Sequence, residues 1–469
     1  MEKTTADFLL PPLHDPTGQH QLAESIKRNF PSYLDVPHLP LKIRKICEIL
    51  ATGDPFSVDA SLESASLAIT QSEVEHVLKL SYSFPSSAAV FFRWAGGMIG
   101  HDHSSYSWNL MVDLLGKNNL FEPMWDAINS MKLKRIVSIS TFATVFSSYV
   151  AAGRIQDAFE AFEVIERYGC SRDVVALNSL VSAICRDGET RDACDFVRAY
   201  RYKIKPDADT YAILLEGWEK EGDVVNARQS FGEMVSEIGW ANDNVFAYDA
   251  FLCTVLTSPD GLCEAMKVLK LLFEKSCHPG GKFFAMALEE CLKRKDVECA
   301  ERLWVTMTRL EVHPDADMYH TMIRIHCDAE NSEEAKLMFE KFVSSGGHPG
   351  RQICSVLFAS LTSGKRLNEA SEVFSFMEKN GWIPEQACCD AAVRVSIDCN
   401  NAYFACMVWR SMIANYTANL EATGNFLLVR LCDFRMADEA AKFAEEMAKK
   451  GVKVSSSTHL KLKQSLLLQ

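Results

Sequence analysis

Residues 316–350 read ADMYHTMIRIHCDAENSEEAKLMFEKFVSSGGHPG. Two apolar stripes run through this stretch at helical spacing. The first is Tyr319, Met322, Ile323 and Ile325; the second is Ala335, Met338, Phe339 and Phe342. Steps of three and four residues put each set on one face of an α-helix. The polar joint Asp328-Ala329-Glu330-Asn331-Ser332 separates them, and Pro349 closes the stretch, because proline cannot continue a helix. The segment is therefore a helical hairpin of 35 residues. A hairpin of that size cannot bury its own stripe, so it needs neighbours of the same kind.

Those neighbours are in the chain. Alanine recurs at 158, 193, 227, 265, 300, 335, 370, 405 and 440, with successive steps of 35, 34, 38 and then 35 throughout. An aromatic residue stands some 16 positions upstream, as at Phe142, Tyr211, Phe284 and Tyr319. A large apolar residue follows four positions downstream, as at Phe162, Phe231, Phe339, Phe374 and Trp409, and often a methionine three further on, as at Met234, Met307, Met377, Met412 and Met447. The small alanine lets the second helix approach the first. Units close on Lys205-Pro206-Asp207, His313-Pro314-Asp315 or Trp382-Ile383-Pro384-Glu385. Ten units begin near 105, 139, 174, 208, 245, 281, 316, 351, 386 and 421, and a degenerate one over 70–104 carries Ala89, Phe91, Phe92 and Trp94.

The 469 residues are 48% hydrophobic and 24% charged, which is too apolar for a disordered chain. No run approaches the roughly 18 apolar residues of a membrane span. The formal charge is −13, the wrong sign for holding nucleic acid by bulk charge, so any such role needs a local basic track. The sixteen cysteines are scattered with no Cys-x-x-Cys; Cys185, Cys291 and Cys432 sit in apolar helical runs and read as buried free thiols of a reducing compartment. Residues 1–23 carry Lys3 beside Glu2, Asp7 and Asp15, unlike an Arg-rich, acid-poor transit peptide.

Two helical repeat families share this period. The tetratricopeptide repeat needs small residues where this chain has methionine. The unit instead resembles the P-class pentatricopeptide repeat of plant organelles: an aromatic near the start followed by Asn, Gly in the inter-helix turn, Ala in the second helix, Phe and Met below it, and a closing Pro-Asp. The resemblance implies an all-α fold, a right-handed α-solenoid of about ten to eleven 35-residue helix-turn-helix repeats. Its parts are a mobile N-terminal arm (1–40), N-terminal helices with the degenerate repeat (41–104), the repeat array (105–455) and a C-terminal capping helix (456–469).

In that family one RNA base is read per repeat, by the residue after the aromatic and the last residue of the unit. The matching candidates here are Asn109 with Ser138, Asn178 with Asp207, and Asn425 with Ser455. By the same analogy Asn178/Asp207 prefers uracil, and the two Asn/Ser pairs prefer cytosine. The last of these doubles as a possible element of the C-terminal cap. Ala143, Ala212 and Ala285 have no donor or acceptor at the first reading position. Lys117, Arg186, Lys220 and Lys293 match the family's phosphate-contact position late in the first helix, and a helix-end role for these cations is the alternative. Val175 and Phe246 match the position that sandwiches bases, where Asp209 and Asp317 would repel a phosphate backbone. RNA is thus expected along residues 105–300.

No catalytic motif is present: no phosphate loop around Gly364-Lys365, no His-Glu-x-x-His and no Gly-x-Ser-x-Gly. His320 and His326 are six apart, the wrong spacing for a two-His metal face, and Cys389 of Cys388-Cys389 takes the place of the aromatic. The chain is expected not to be an enzyme and to need no cofactor, metal or small-molecule substrate. The function implied is sequence-selective binding of single-stranded organellar RNA, acting after transcription on stability, processing, splicing or translation. The alternative is an α-solenoid scaffold docked on a ribosome or other ribonucleoprotein. Localisation by resemblance is the mitochondrion or the chloroplast, and the acidic N-terminus keeps the cytosol and nucleus open.

Overall fold

In the computed structural model, residues 30–65, 67–100 and 103–467 are described. Among them all regular structure is helical, in 25 α-helices and two short 3-10 turns. The chain divides into two units, Met1–Thr254 and Val255–Gln469.

The first unit opens with α1 (Leu41–Thr52), α2 (Val58–Ser64), α3 (Gln71–Lys79) and α4 (Pro85–Met98). Four hairpins follow: α5/α6 (Ser105–Lys117, Phe121–Leu133), α7/α8 (Ile139–Ala151, Ile155–Val164), α9/α10 (Val174–Asp187, Thr190–Tyr200) and α11/α12 (Ala208–Glu221, Val224–Glu237). Helix α13 (Val245–Leu256) ends at the divide. In the second unit α14 (Gly261–Glu274) precedes five hairpins: α15/α16 (Gly281–Arg294, Val297–Arg309), α17/α18 (Ala316–Asp328, Ser332–Ser344), α19/α20 (Arg351–Ser363, Leu367–Lys379), α21/α22 (Gln386–Asp398, Ala402–Asn415) and α23/α24 (Glu421–Asp433, Ala437–Lys449). Helix α25 (Ser456–Leu467) follows.

Within each unit the hairpins stack in two layers. First helices pack on first helices, α5 on α7 on α9 on α11, and α15 on α17 on α19 on α21 on α23. Each second helix packs back on its own first helix. All nine periodic alanines, from Ala158 to Ala440, are fully buried, as are Met234, Met307, Met377, Met412 and Met447. At roughly 25 cal/mol per Å² of apolar area, this repeated interface stabilises each hairpin only in its neighbours' company.

The chain leaves each hairpin through residues that cap the next helix. Asp173, Asp207 and Asp315, the last residues of their units, are N-caps: their carboxylates accept from Val175 N and Ala176 N, from Thr210 N, and from Met318 N. Such a cap is worth about 1 kcal/mol. Inside the hairpins the first helix of α9/α10 ends at Gly188 with φ 93°, a left-handed conformation that suits glycine. Other joints place Lys295, Glu330 and Lys365 there instead.

Two readings of the sequence need correction. The arm expected to be mobile through Pro40 is packed from residue 30 onward: Tyr33 and Leu39 are buried, and Arg44 Nη2 donates to the Val36 carbonyl at 3.1 Å. Apolar side chains at 33 and 39 gave that stretch something to bury. The rest of the arm, residues 1–29, lies outside the described residues. In the degenerate repeat the small residue packed into the hairpin is Ala88, not Ala89, which is only half-buried.

Candidate nucleic-acid interface

The reading position falls four residues into each first helix and the basic position eight residues later, about 12 Å along the same helix face at 1.5 Å per residue. Packing of α5, α7, α9 and α11 side by side carries these positions across the first unit.

Asn178 and Asp207 are brought into direct contact. Asn178 Nδ2 donates to Asp207 Oδ1 at 3.1 Å. Thr210 Oγ1 bridges the pair, donating toward Asn178 Oδ1 (2.6 Å) and Asp207 Oδ1 (2.9 Å) and accepting from Asp207 N (3.1 Å). Burial pushes the Asp207 carboxyl up, but hydrogen bonds from Asn178 and from Thr210 outweigh it and hold it below the usual range. Asp207 is therefore an ionised acceptor at neutral pH. One Asn178 N–H and Asp207 Oδ2 have no partner among the described residues.

Asn109 and Ser138 meet through Thr141, whose hydroxyl donates to Asn109 Oδ1 at 2.7 Å and accepts from Ser138 N at 3.3 Å. Asn425 and Ser455 also meet, but their groups are spent. Asn425 Nδ2 donates both its hydrogens, to the Glu421 carbonyl at 2.7 Å and the Lys453 carbonyl at 3.0 Å, while its Oδ1 accepts from Ser455 N at 2.8 Å. Asn425 ties α23 to the start of α25 and has no donor left for a base. That corrects its place among the reading residues.

The four basic candidates differ in the same way. Lys117 Nζ lies 2.7 Å from Asp113 and 5.2 Å from the Tyr82 ring centre, and Lys293 Nζ lies 3.4 Å from Glu290. Arg186 and Lys220 are exposed and have no carboxylate partner among the described residues. Arg186 Nε donates to the Ser182 carbonyl at 3.1 Å, and Lys220 Nζ donates to the Arg186 carbonyl, which sets the two cations next to each other.

Val175 and Phe246 are exposed at 57% and 73%, so neither belongs to the core. Val175 sits one turn before Asn178 and flanks it. Sequence reading missed Tyr106, which is 49% exposed and stands at the same register, one turn before Asn109. Its position two residues before Trp108 was the available signal. Elsewhere the register is poor: Ser355 Oγ donates to the Arg351 carbonyl, and Asp209 and Asp317 are exposed acids. Eleven of the sixteen thiols are buried, Cys185 and Cys389 being pushed up to about 12 by desolvation, while Cys263 and Cys399 are exposed. No cluster of three or more His, Cys, Asp or Glu able to hold a metal is formed among the described residues.

The family model for the PPR repeat matches residues 106–136, 140–170 and 317–347, which are the hairpins α5/α6, α7/α8 and α17/α18. These three hairpins are pentatricopeptide repeats. Two mitochondrial pentatricopeptide repeat-containing proteins of Arabidopsis thaliana are similar to the chain, one 31% identical over 175 residues (37% of this chain, 34% of the relative) and one 30% identical over 235 residues (49% and 41%). The matched region thus spans well under half of those relatives' length. Among solved structures it is similar to the maize pentatricopeptide repeat protein PPR10 (19% identity, TM-score 0.42, 92% of this chain and 61% of that one). The complex of PPR10 with an 18-nt psaJ RNA element is similar too (18%, TM-score 0.41, 88% and 61%). The matched hairpin over 106–136 carries Asn109, and Ser138 stands at the joint before the next matched span.

Proposed function

We propose that this protein binds single-stranded RNA in the mitochondrion and acts after transcription by occupying its target, without catalysis. The observation that carries the proposal is the Asn178–Asp207 pair. It offers a donor N–H beside an ionised acceptor on a face that also bears the unpaired cations Arg186 and Lys220. Uracil's Watson–Crick edge offers the complement, a carbonyl beside N3–H. Cytosine turns a lone pair at N3 toward the carboxylate and is disfavoured. The Ser138 hydroxyl can donate to that lone pair, which favours cytosine at Asn109. A good pair contributes on the order of 1–3 kcal/mol of discrimination. The curated relatives' mitochondrial names support the compartment.

Crosslinking of the tagged protein in its own cells, followed by sequencing of the recovered RNA, tests this reading. One sharp footprint on an organellar transcript, containing pyrimidines, is the expected result. The net charge of −13 favours a second reading, a scaffold docked on a ribonucleoprotein. Diffuse ribosomal RNA with co-purifying ribosomal proteins would establish that one instead.

A further inference from the structure

Base reading by a carboxamide has a built-in ambiguity, because the oxygen and nitrogen of an Asn exchange places on a half turn and the donor becomes an acceptor. At the reading positions of the first unit a single buried group removes it. The third residue of the following first helix is Thr141 opposite Asn109 and Thr210 opposite Asn178, in both cases 32 residues on and fully buried. Each hydroxyl accepts a main-chain N–H, from Ser138 or Asp207, and has Asn Oδ1 within donating range across the joint, at 2.7 Å from Thr141 and 2.6 Å from Thr210, where Asp207 Oδ1 at 2.9 Å shares the proton. At Asn178 the Asp207 carboxylate enforces the same choice, since Oδ1 in place of Nδ2 would stand 3.1 Å from a carboxylate oxygen.

The contact recurs at two further joints. Ser107 donates to Glu75 at 3.4 Å across the preceding joint, and in the second unit Thr423 donates to Asp390 at 2.6 Å. Where the third residue is Ala176 or Ala247, both buried, the reading residue of the preceding repeat is Ala143 or Ala212. Within the first unit hydroxyl thus goes with polar reader and alanine with alanine, whereas in the second unit His320 and Ser355 precede Ile353 and Cys388, and Ala285 precedes Met318. In the first unit the two positions, more than 30 residues apart in sequence, vary together from repeat to repeat.

We infer that Thr141 and Thr210 are positioning residues that lock Asn109 and Asn178 with Nδ2 outward. The first unit then reads alternate bases, specifying two pyrimidines that flank one unspecified position. This rests on the RNA-binding reading above and assigns its specificity. The intervening repeat, with Ala143, contributes packing and spacing rather than selection.

The test is selection from a random single-stranded RNA pool with the full chain, comparing Thr210→Ala, Thr210→Ser and Asn178→Ala. Alanine is the residue this chain places at 176 and 247, so Thr210→Ala is compatible with the fold; a melting curve checks it. The parent should enrich two pyrimidines one position apart. Thr210→Ala should lose about fivefold of the preference at one of them, the worth of one hydrogen bond near 1 kcal/mol, and keep the other. Thr210→Ser should restore it. If Thr210→Ala keeps the full preference while Asn178→Ala loses it, the positioning role falls and base reading stands. If Asn178→Ala changes nothing, both fall together. Enrichment at adjacent rather than alternate positions overturns the alternation.

Discussion

Asn178 donates its side-chain amide to the Asp207 carboxylate at 3.1 Å, across a joint between two helical hairpins. Asp207 at the same time caps α11 by accepting from Thr210 N at 2.9 Å. One carboxylate therefore serves both the architecture and the candidate interface, and substitutions can separate the two. Asp207→Ala should cost about 1 kcal/mol of stability as a lost cap. Asp207→Asn retains a capping oxygen and should melt within about 0.5 kcal/mol of the parent. Both should weaken binding to a uracil-containing ligand, measured by fluorescence anisotropy. Equal binding by parent and Asp207→Asn would remove Asp207 from the interface.

The basic residues should not contribute equally. Arg186 and Lys220 are unpaired, whereas Lys117 and Lys293 already lie against Asp113 and Glu290. Arg186→Glu and Lys220→Glu should each weaken RNA binding and flatten the salt dependence by about 0.7 in log–log slope, the signature of one lost phosphate contact on a single strand. Lys293→Glu should leave the slope closer to the parent's. A titration from low to moderate salt decides it, and an unchanged slope for both Arg186→Glu and Lys220→Glu excludes the track.

Close packing between hairpins leaves no room at Gly217. A Cβ there would meet Thr190 Oγ1 at 2.4 Å and Cys185 Cβ at 3.0 Å. Gly217→Ala should destabilise by about 1–3 kcal/mol through overpacking, against the usual helix-favouring gain from Gly to Ala of up to about 1 kcal/mol. Urea denaturation reads the sign directly.

His326 is buried in α17 with neither ring nitrogen hydrogen-bonded. Desolvation lowers its pKa, only partly opposed by Glu301 and Glu334, while Lys341 adds to the lowering. A histidine depressed in the fold is protonated more readily in the unfolded chain. Its contribution is present above the unfolded pKa near 6.5 and is lost as pH falls below it. The melting temperature should fall between pH 7.5 and 5.5, and His326→Leu should flatten that dependence. A parallel decline in both proteins would place the titration elsewhere.

Much of this was open to a reader of the sequence. The alanine period located the hairpins from 139 onward, because an apolar stripe at helical spacing with a proline or polar break leaves few other ways to bury itself. The helices begin at 105, 139, 174, 208, 245, 281, 316, 351, 386 and 421, as the period implies. The reading and basic positions followed from the same register. What the register could not distinguish was occupied from available. Asn109, Asn178 and Asn425 stand at one repeat position, yet Asn425 spends its amide on main-chain carbonyls at a joint next to the final helix. Lys117 and Arg186 share a position, and only one has an aspartate a turn away.

The sequence by itself determined the unit, its length, its two faces and the residues on each, because helix periodicity and hydrophobic burial are local and repeat with the chain. The tertiary structure decided which polar groups remain free and which way they point. Those outcomes depend on partners some 32 residues away, Thr141 against Asn109 and Thr210 against Asn178, and a hydrogen bond exists only where stacking brings donor and acceptor within about 3 Å.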